Sequence, residues 1–264
     1  MNESSEPFEI PGITSDSLNT RFNPTTNGEL HLGHAFMALL NRDMAHSTDG
    51  AFTVRFDDNC RYWNHRMDGT AHPGPTVAAI QKQMRLELEW LGIAPDVTTS
   101  QWLYEDETRR WLARYPEMVP PDHFPHTLTP DILNMPVPGP MGCTTYVIFE
   151  KVVLDYVENT NCVIRGYEFI SDFSLYVFLC YRLGFPVPWL LYVPRLRTDT
   201  GGELSDISKT RGNFKLSSLY KAGVPAESVL ALLREACLVD PAGLFVRDNL
   251  KLEPAVAQVD LNNL

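Results

Sequence analysis

The sequence predicts an α/β protein with a parallel sheet, on three observations. Strand-like and helix-like stretches alternate along the chain. A glycine-containing turn around Gly28 leads from a short strand directly into a helix. The apolar run Ala51–Phe56 closes on two carboxylates, Asp57 and Asp58, at the strand end where ligands bind in sheets of this kind.

The elements follow in order. Residues 1–18 are polar and aperiodic and read as an arm leading into the first strand, which ends at Arg21-Phe22. Pro24 to Asn27 is loop composition. From Leu32 to about residue 46, Leu32, Ala35, Phe36, Leu39 and Leu40 recur at helical spacing. His31 and His34, three residues apart at its start, share one face. A helix start presents unpaired N–H groups and a positive dipole end, so two histidines there suggest a phosphate site.

After the strand at 51–56, Val77, Ile80, Met84, Leu88 and Leu91 place an apolar stripe on a helix from Pro73 to Leu91, which Gly92 stops. Val97–Gln101 reads as a short strand and 105–114 as a helix. Residues 115–142 carry eight prolines from Pro116 to Pro140 and are expected to be irregular. The β-branched run Thr144–Val157 reads as a strand and Cys162–Gly166 as a second, short one. A helix is expected over Ile170–Leu183, the last sheet strand over Pro188–Val193, and helical sequence from Leu216 to about Cys237.

Bulk properties set limits. The 264-residue chain is 44% hydrophobic, enough for a substantial core, and carries a formal net charge of −11. That charge lowers the expectation of a tight grip on nucleic acid, which needs a basic stripe. No apolar run reaches membrane-spanning length and the N-terminus is acidic and polar, so cytoplasmic residence is expected. Five scattered cysteines without Cys-x-x-Cys spacing argue against a disulfide framework or a zinc site. His123, His126 and Cys143 match no dependable zinc spacing and read as loop residues, so no metal site is expected in the protein itself.

The stretch Arg21-Phe-Asn-Pro-Thr-Thr-Asn-Gly28-Glu-Leu-His31-Leu-Gly33-His34 resembles the first signature, the HIGH motif, of class I aminoacyl-tRNA synthetases in its glutamyl/glutaminyl form. Arg-Phe-Asp57-Asp, the Tyr146…Asp155…Val-Ile-Arg165-Gly block and Gly166-Tyr-Glu168 follow in the order of that family. Leu204-Ser-Asp206-Ile-Ser208-Lys209 resembles its second signature, the KMSKS loop, with Asp206 in place of the first lysine. The resemblance covers roughly Thr20 to Cys237.

It implies a Rossmann-type doubly wound parallel sheet. The core would span 19–114 and 143–215, split by a shortened connective insertion at 115–142, with a small helical C-terminal segment at 216–264. Nothing of the chain would then remain for an anticodon-binding domain. The implied reaction joins ATP, accompanied by Mg²⁺, to an amino acid to give an aminoacyl-adenylate and pyrophosphate. In that scheme His31, His34 and Lys209 stabilise phosphate charge, and Gly33, Gly166, Glu168 and Ser208 complete the ATP site, with Glu168 on the ribose. Asp57 holds the α-ammonium, while Arg21, Tyr146 and Arg165 read the side chain. Two arginines favour an acidic side chain such as glutamate. One extra residue between Tyr146 and Asp155 brings Glu150 or Lys151 into the pocket region, a departure from the family.

The acyl acceptor stays open between tRNA, a carrier protein and a small-molecule amine. The alternative is a non-catalytic synthetase paralogue that binds nucleotide or amino acid and regulates a partner.

Overall fold

The structure, a computed structural model, describes residues 17–26, 28–58, 77–115, 144–193, 196–199, 204–206, 214–238 and 257–259. Five strands form one parallel sheet: β1 (Thr20–Phe22), β2 (Phe52–Phe56), β3 (Val97–Ser100), β4 (Cys162–Gly166) and β5 (Trp189–Val193), in the order β3-β2-β1-β4-β5. The chain winds outward from β1 through β2 to β3, then crosses back to build β4 and β5 on the other side. The doubly wound fold expected from the sequence is therefore present. Its switch point lies between β1 and β4, and the crevice above the carboxyl ends of these two strands is where such sheets bind ligands.

Register assigns every strand residue to a face. Arg21 pairs with Thr53, Arg55 with Thr99, and Arg165 with Tyr192. Thr20 aligns with Cys162 across the switch, so Arg21, Arg55 and Arg165 share one face. The opposite face is apolar. There Phe22, Phe52, Val54, Phe56, Cys162, Ile164, Leu191 and Val193 form one core with α1 (Leu32–Ser47), α2 (Val77–Trp90), α6 (Leu216–Lys221) and α7 (Ala226–Leu238). In α1, Leu32, Ala35, Phe36, Leu39 and Leu40 are all buried, as their spacing predicts. Each such leucine contributes about 1.5–3 kcal/mol by leaving water.

The arginine-bearing face packs under α4 (Thr144–Val157) and α5 (Phe173–Leu183), whose Ile148, Phe149, Val152, Val153, Tyr176 and Leu179 meet Val163, Leu190 and Tyr192. Trp111 of α3 (Glu105–Arg114) closes the outer edge, edge-on to Phe185 at 4.7 Å between ring centroids. A 3-10 turn at Gln101–Tyr104 leads into α3, and another at Tyr167–Asp172 leads into α5.

Three expectations are corrected. Thr144–Val157 is a helix, not a strand. Of its valines and isoleucine, Ile148, Val152 and Val153 are buried at a spacing that suits one helix face, and burial outweighs β-propensity. Residues 188–193 are not the last strand: β6 (Leu196–Asp199), β7 (Leu204–Asp206) and β8 (Ala257–Val259) form a second sheet in the order β7-β6-β8. The segment from residue 216 is accordingly not wholly helical, because β8 pairs in parallel with β6. Of the proline-rich stretch 115–142, only Tyr115 falls within the described residues, and His123, His126 and Cys143 lie outside them. Among the described residues, no helix is long and apolar enough to cross a membrane.

Candidate active site

The switch point is built around the start of α1. His31 is extended (φ −129, ψ 174) and caps the helix, its Nδ1 accepting the Gly33 N–H at 3.1 Å. His34 completes a reciprocal box by accepting the His31 N–H on its own Nδ1 at 3.3 Å. The two rings stack with centroids 3.8 Å apart. A neutral imidazole that accepts at Nδ1 carries its proton on Nε2. Both rings sit at the positive end of a helix, an arrangement suited to an anion.

Other elements fix this turn from outside. The Leu30 N–H donates to the buried Glu87 carboxylate of α2 at 3.0 Å, and burial raises the Glu87 pKa. Glu29 accepts from Lys215 Nζ and Ser217 Oγ, both at 2.7 Å, and Leu30 C=O accepts the Leu216 N–H. His31 also bridges to Lys215. The start of α6 is thus docked against the turn that precedes α1. Neither Glu29 nor Lys215 stood out in the sequence, because their pairing spans the whole core.

The carboxylate pair after β2 divides its labour. Asp58 accepts from Ser100 Oγ and from the Trp102 N–H at 3.0 Å, tying β2 to the end of β3. Asp57 stays on the ligand edge, bridged to Thr25 of the loop before α1. Burial raises the Asp57 pKa, and Lys151 is the largest influence holding it down.

On the arginine-bearing face, Asp155 gathers three donors. Arg21 reaches it through Nε at 3.0 Å and Nη2 at 3.2 Å, Arg55 through Nη2 at 2.6 Å, and Tyr176 through its hydroxyl at 2.8 Å. Arg55 also binds Glu158 at 2.8 Å, and Thr99 donates to the same carboxylate. Burial opposes the Asp155 charge, but the two guanidinium groups outweigh it and hold the carboxyl well below the usual range. Burial likewise opposes the charge of Arg55, yet Asp155 and Glu158 keep it firmly protonated. The structure therefore commits two donors of Arg21 to Asp155, and Arg21 and Arg165 do not stand as an open pair.

Arg165 differs. Its Nη2 binds Asp172 at 2.8 Å and its guanidinium lies over the Phe169 ring, while Nη1 is buried with no hydrogen-bond partner. The buried hydroxyl of its cross-strand neighbour Tyr192 is also unpartnered; the two are adjacent without meeting hydrogen-bond geometry. An unpaired buried donor is costly, and a carboxylate would satisfy it.

Gly166 ends β4, and a Cβ there would collide with the Glu168 carboxylate, which folds back over it. Tyr146 lies in the first turn of α4, its side chain outside the described residues. Ser208 and Lys209 fall outside the described residues, immediately after β7, whose last residue is Asp206. Glu150 is buried in α4, and Lys151 is partly buried beside it.

A doubly wound sheet with a histidine-capped helix at its switch point is the arrangement that the class I synthetase resemblance implies. Known proteins make the relation more specific. Residues 17–117 match the model of the family "tRNA synthetases class I (E and Q), catalytic domain". The glutamyl-Q tRNA(Asp) synthetase of Rhodobacter capsulatus is 42% identical over 77 residues, which cover 29% of this chain and 23% of that protein. The glutamate–tRNA ligase of Pyrococcus furiosus is 34% identical over 123 residues, 44% of this chain and 20% of the relative. The match thus spans about a fifth of these relatives' length. The crystal structure of a glutamate tRNA ligase from Elizabethkingia meningosepticum superposes with a TM-score of 0.62 at 16% identity, over 94% of this chain and 68% of that one. Residues 17–117 are thus similar to the catalytic domain of glutamyl- and glutaminyl-type class I synthetases, and the chain shares the fold of a glutamate tRNA ligase.

Proposed function

We propose that this chain activates the carboxylate of an acidic amino acid, glutamate by resemblance, with ATP and passes the acyl group to an acceptor. A substrate carboxylate oxygen attacks the α-phosphorus, the bond to the β-phosphate bridge breaks, and pyrophosphate leaves. The stacked His31–His34 cap at the switch point carries this reading, because it sets two imidazoles and a helix dipole where phosphate charge builds. Lys209, which follows β7 in sequence, adds a cation, and Gly33 and Ser208 line the same phosphates. Glu168 takes the ribose hydroxyls over Gly166. Asp57 faces the α-ammonium. Arg165, with Tyr146 and the remaining capacity of Arg21, faces the side-chain carboxylate. Mg²⁺ arrives with ATP, held by its phosphates.

Amino-acid-dependent exchange of labelled pyrophosphate into ATP tests this directly. Exchange with glutamate supports activation. No exchange with any acid, while ATP still binds, would establish the non-catalytic alternative, a nucleotide-binding paralogue that regulates a partner. For the acceptor, charging of total tRNA is the first test, and the name of the Rhodobacter relative favours a tRNA. The net charge of −11 favours a carrier protein or small amine instead.

A further inference from the structure

Arg165 and Tyr192 are the penultimate residues of β4 and β5, and the register sets them side by side at the carboxyl ends of the strands, on the arginine-bearing face. Both are buried, at 6% and 1% exposure. Each nevertheless carries a polar atom with no hydrogen-bond partner among the described residues, Arg165 Nη1 and the Tyr192 hydroxyl. The surroundings hold both groups in place. Asp172 binds Arg165 Nη2 at 2.8 Å, and the guanidinium lies 4.8 Å from the centre of the Phe169 ring. Phe173 meets the Tyr192 ring edge-on with centroids 6.2 Å apart. Burial raises the Tyr192 pKa, so the hydroxyl keeps its proton, and the guanidinium is always charged.

Two neighbouring donors without an acceptor are costly inside a fold. The hydroxyl oxygen can take a hydrogen from Nη1, but its own proton then still lacks an acceptor. What the pair lacks is therefore an acceptor, and an anionic one suits it best, because hydrogen bonds to a charged group are the stronger ones. The place is the edge of the sheet where ligands bind. Phe169 is itself 44% exposed, so the ring over the guanidinium stands at the surface, where it can swing aside for a ligand.

We infer that Tyr192 is a specificity-determining residue whose hydroxyl donates, together with Arg165 Nη1, to the distal carboxylate of the acid. This rests on the activation reading above, in which Tyr192 has no part. A carboxylate brings two acceptor oxygens to the two donors, whereas a carboxamide replaces one of them with an N–H₂ donor. Tyr192 thus favours the acid over its amide. Substitution separates binding from packing. In the free protein the hydroxyl makes no bond that Tyr192→Phe could break, and the phenyl ring keeps its contact with Phe173. Removing an unsatisfied buried polar group does not destabilise a fold. A hydroxyl with a purely structural role would give the reverse pattern, a lower melting temperature with unchanged affinity for the acid.

Pyrophosphate exchange is measured with glutamate and with glutamine for the wild type and Tyr192→Phe, alongside thermal melts without ligand. The variant should melt at or above the wild-type temperature. Its KM for glutamate should rise by about 10- to 100-fold, the size of one hydrogen bond to a charged group, while the KM for ATP stays level. The preference for glutamate over glutamine should shrink with it. A KM for glutamate within about twofold of wild type, a change shared equally by the two amino acids, or a melting temperature clearly below wild type overturns the inference and leaves activation standing. Exchange with neither amino acid, in either protein, overturns the reading of glutamate activation and the inference with it.

Discussion

Arg55 and Asp155 meet at 2.6 Å with side chains 0% and 2% exposed, the most deeply buried ion pair among the described residues. It joins β2 to α4, elements a hundred residues apart in sequence. Removing one member leaves the other charge without its main partner. Asp155→Asn is therefore expected to lower folding stability by roughly 3–5 kcal/mol, read as a shift of the urea midpoint. The pH dependence has a fixed sign. The Asp155 pKa is depressed in the folded state, so its contribution is complete above the unfolded carboxyl value of about 4 and fades as pH falls below it. Wild type should lose stability on acidification below pH 4 more steeply than the variant; parallel acid titrations would contradict the pairing.

Glu87 has the opposite sign. Burial raises its pKa, so stability falls as pH climbs from the unfolded value near 4.3 to the folded one. Glu87→Gln keeps an acceptor for Leu30 N–H without the buried charge and should stay within about 1 kcal/mol of wild type at pH 7. Glu87→Ala leaves that N–H unsatisfied and should cost about 1–3 kcal/mol. Equal effects of the two substitutions in thermal melts would mean that the hydrogen bond contributes little.

Gly166→Ala tests the ATP side. The group its Cβ would strike is the end of a flexible side chain, so the protein should fold with a melting temperature close to wild type while Glu168 is pushed aside. If Glu168 holds the ribose, the KM for ATP rises several-fold and the KM for the acid stays level. An unchanged ATP KM would remove Glu168 from the site.

Lys209→Ala should slow pyrophosphate exchange by about 10²–10³-fold, the usual loss for one charge-stabilising donor. A rate equal to wild type would show that Lys209 takes no part in the step.

Much of the sheet was legible because α1, β2, β3, β4 and β5 are short periodic segments bounded by glycine, proline or carboxylates. The strand reading of Thr144–Val157 failed because β-branched residues look alike in a strand and on a buried helix face. Only the packing of Ile148, Val152 and Val153 against Val163 decides between them. The signature residues were readable as local patterns, but their partners were not. Nothing near Arg21 in sequence points to Asp155, 134 residues away, or near Glu29 to Lys215. Of the two adjacent carboxylates, the sequence resemblance points to Asp57, but the tertiary bonds that commit Asp58 to Ser100 and Trp102 are not legible there.

The seam between β1 and β4 aligns at Thr20 and Cys162, where Asn19 and Asn161 lash the two strands together at their base. Above that point the sheet forks. One prong carries β1, β2 and β3, the other β4 and β5 with α4 and α5 against them. Arg21 and Arg55 on the first prong grip Asp155 of α4 on the second, and Arg55 and Thr99 grip Glu158, so two carboxylates set the angle of the fork. The width of the crevice above it is then a mechanical property of these tethers, and loosening Asp155 should blur substrate selection as well as weaken the fold.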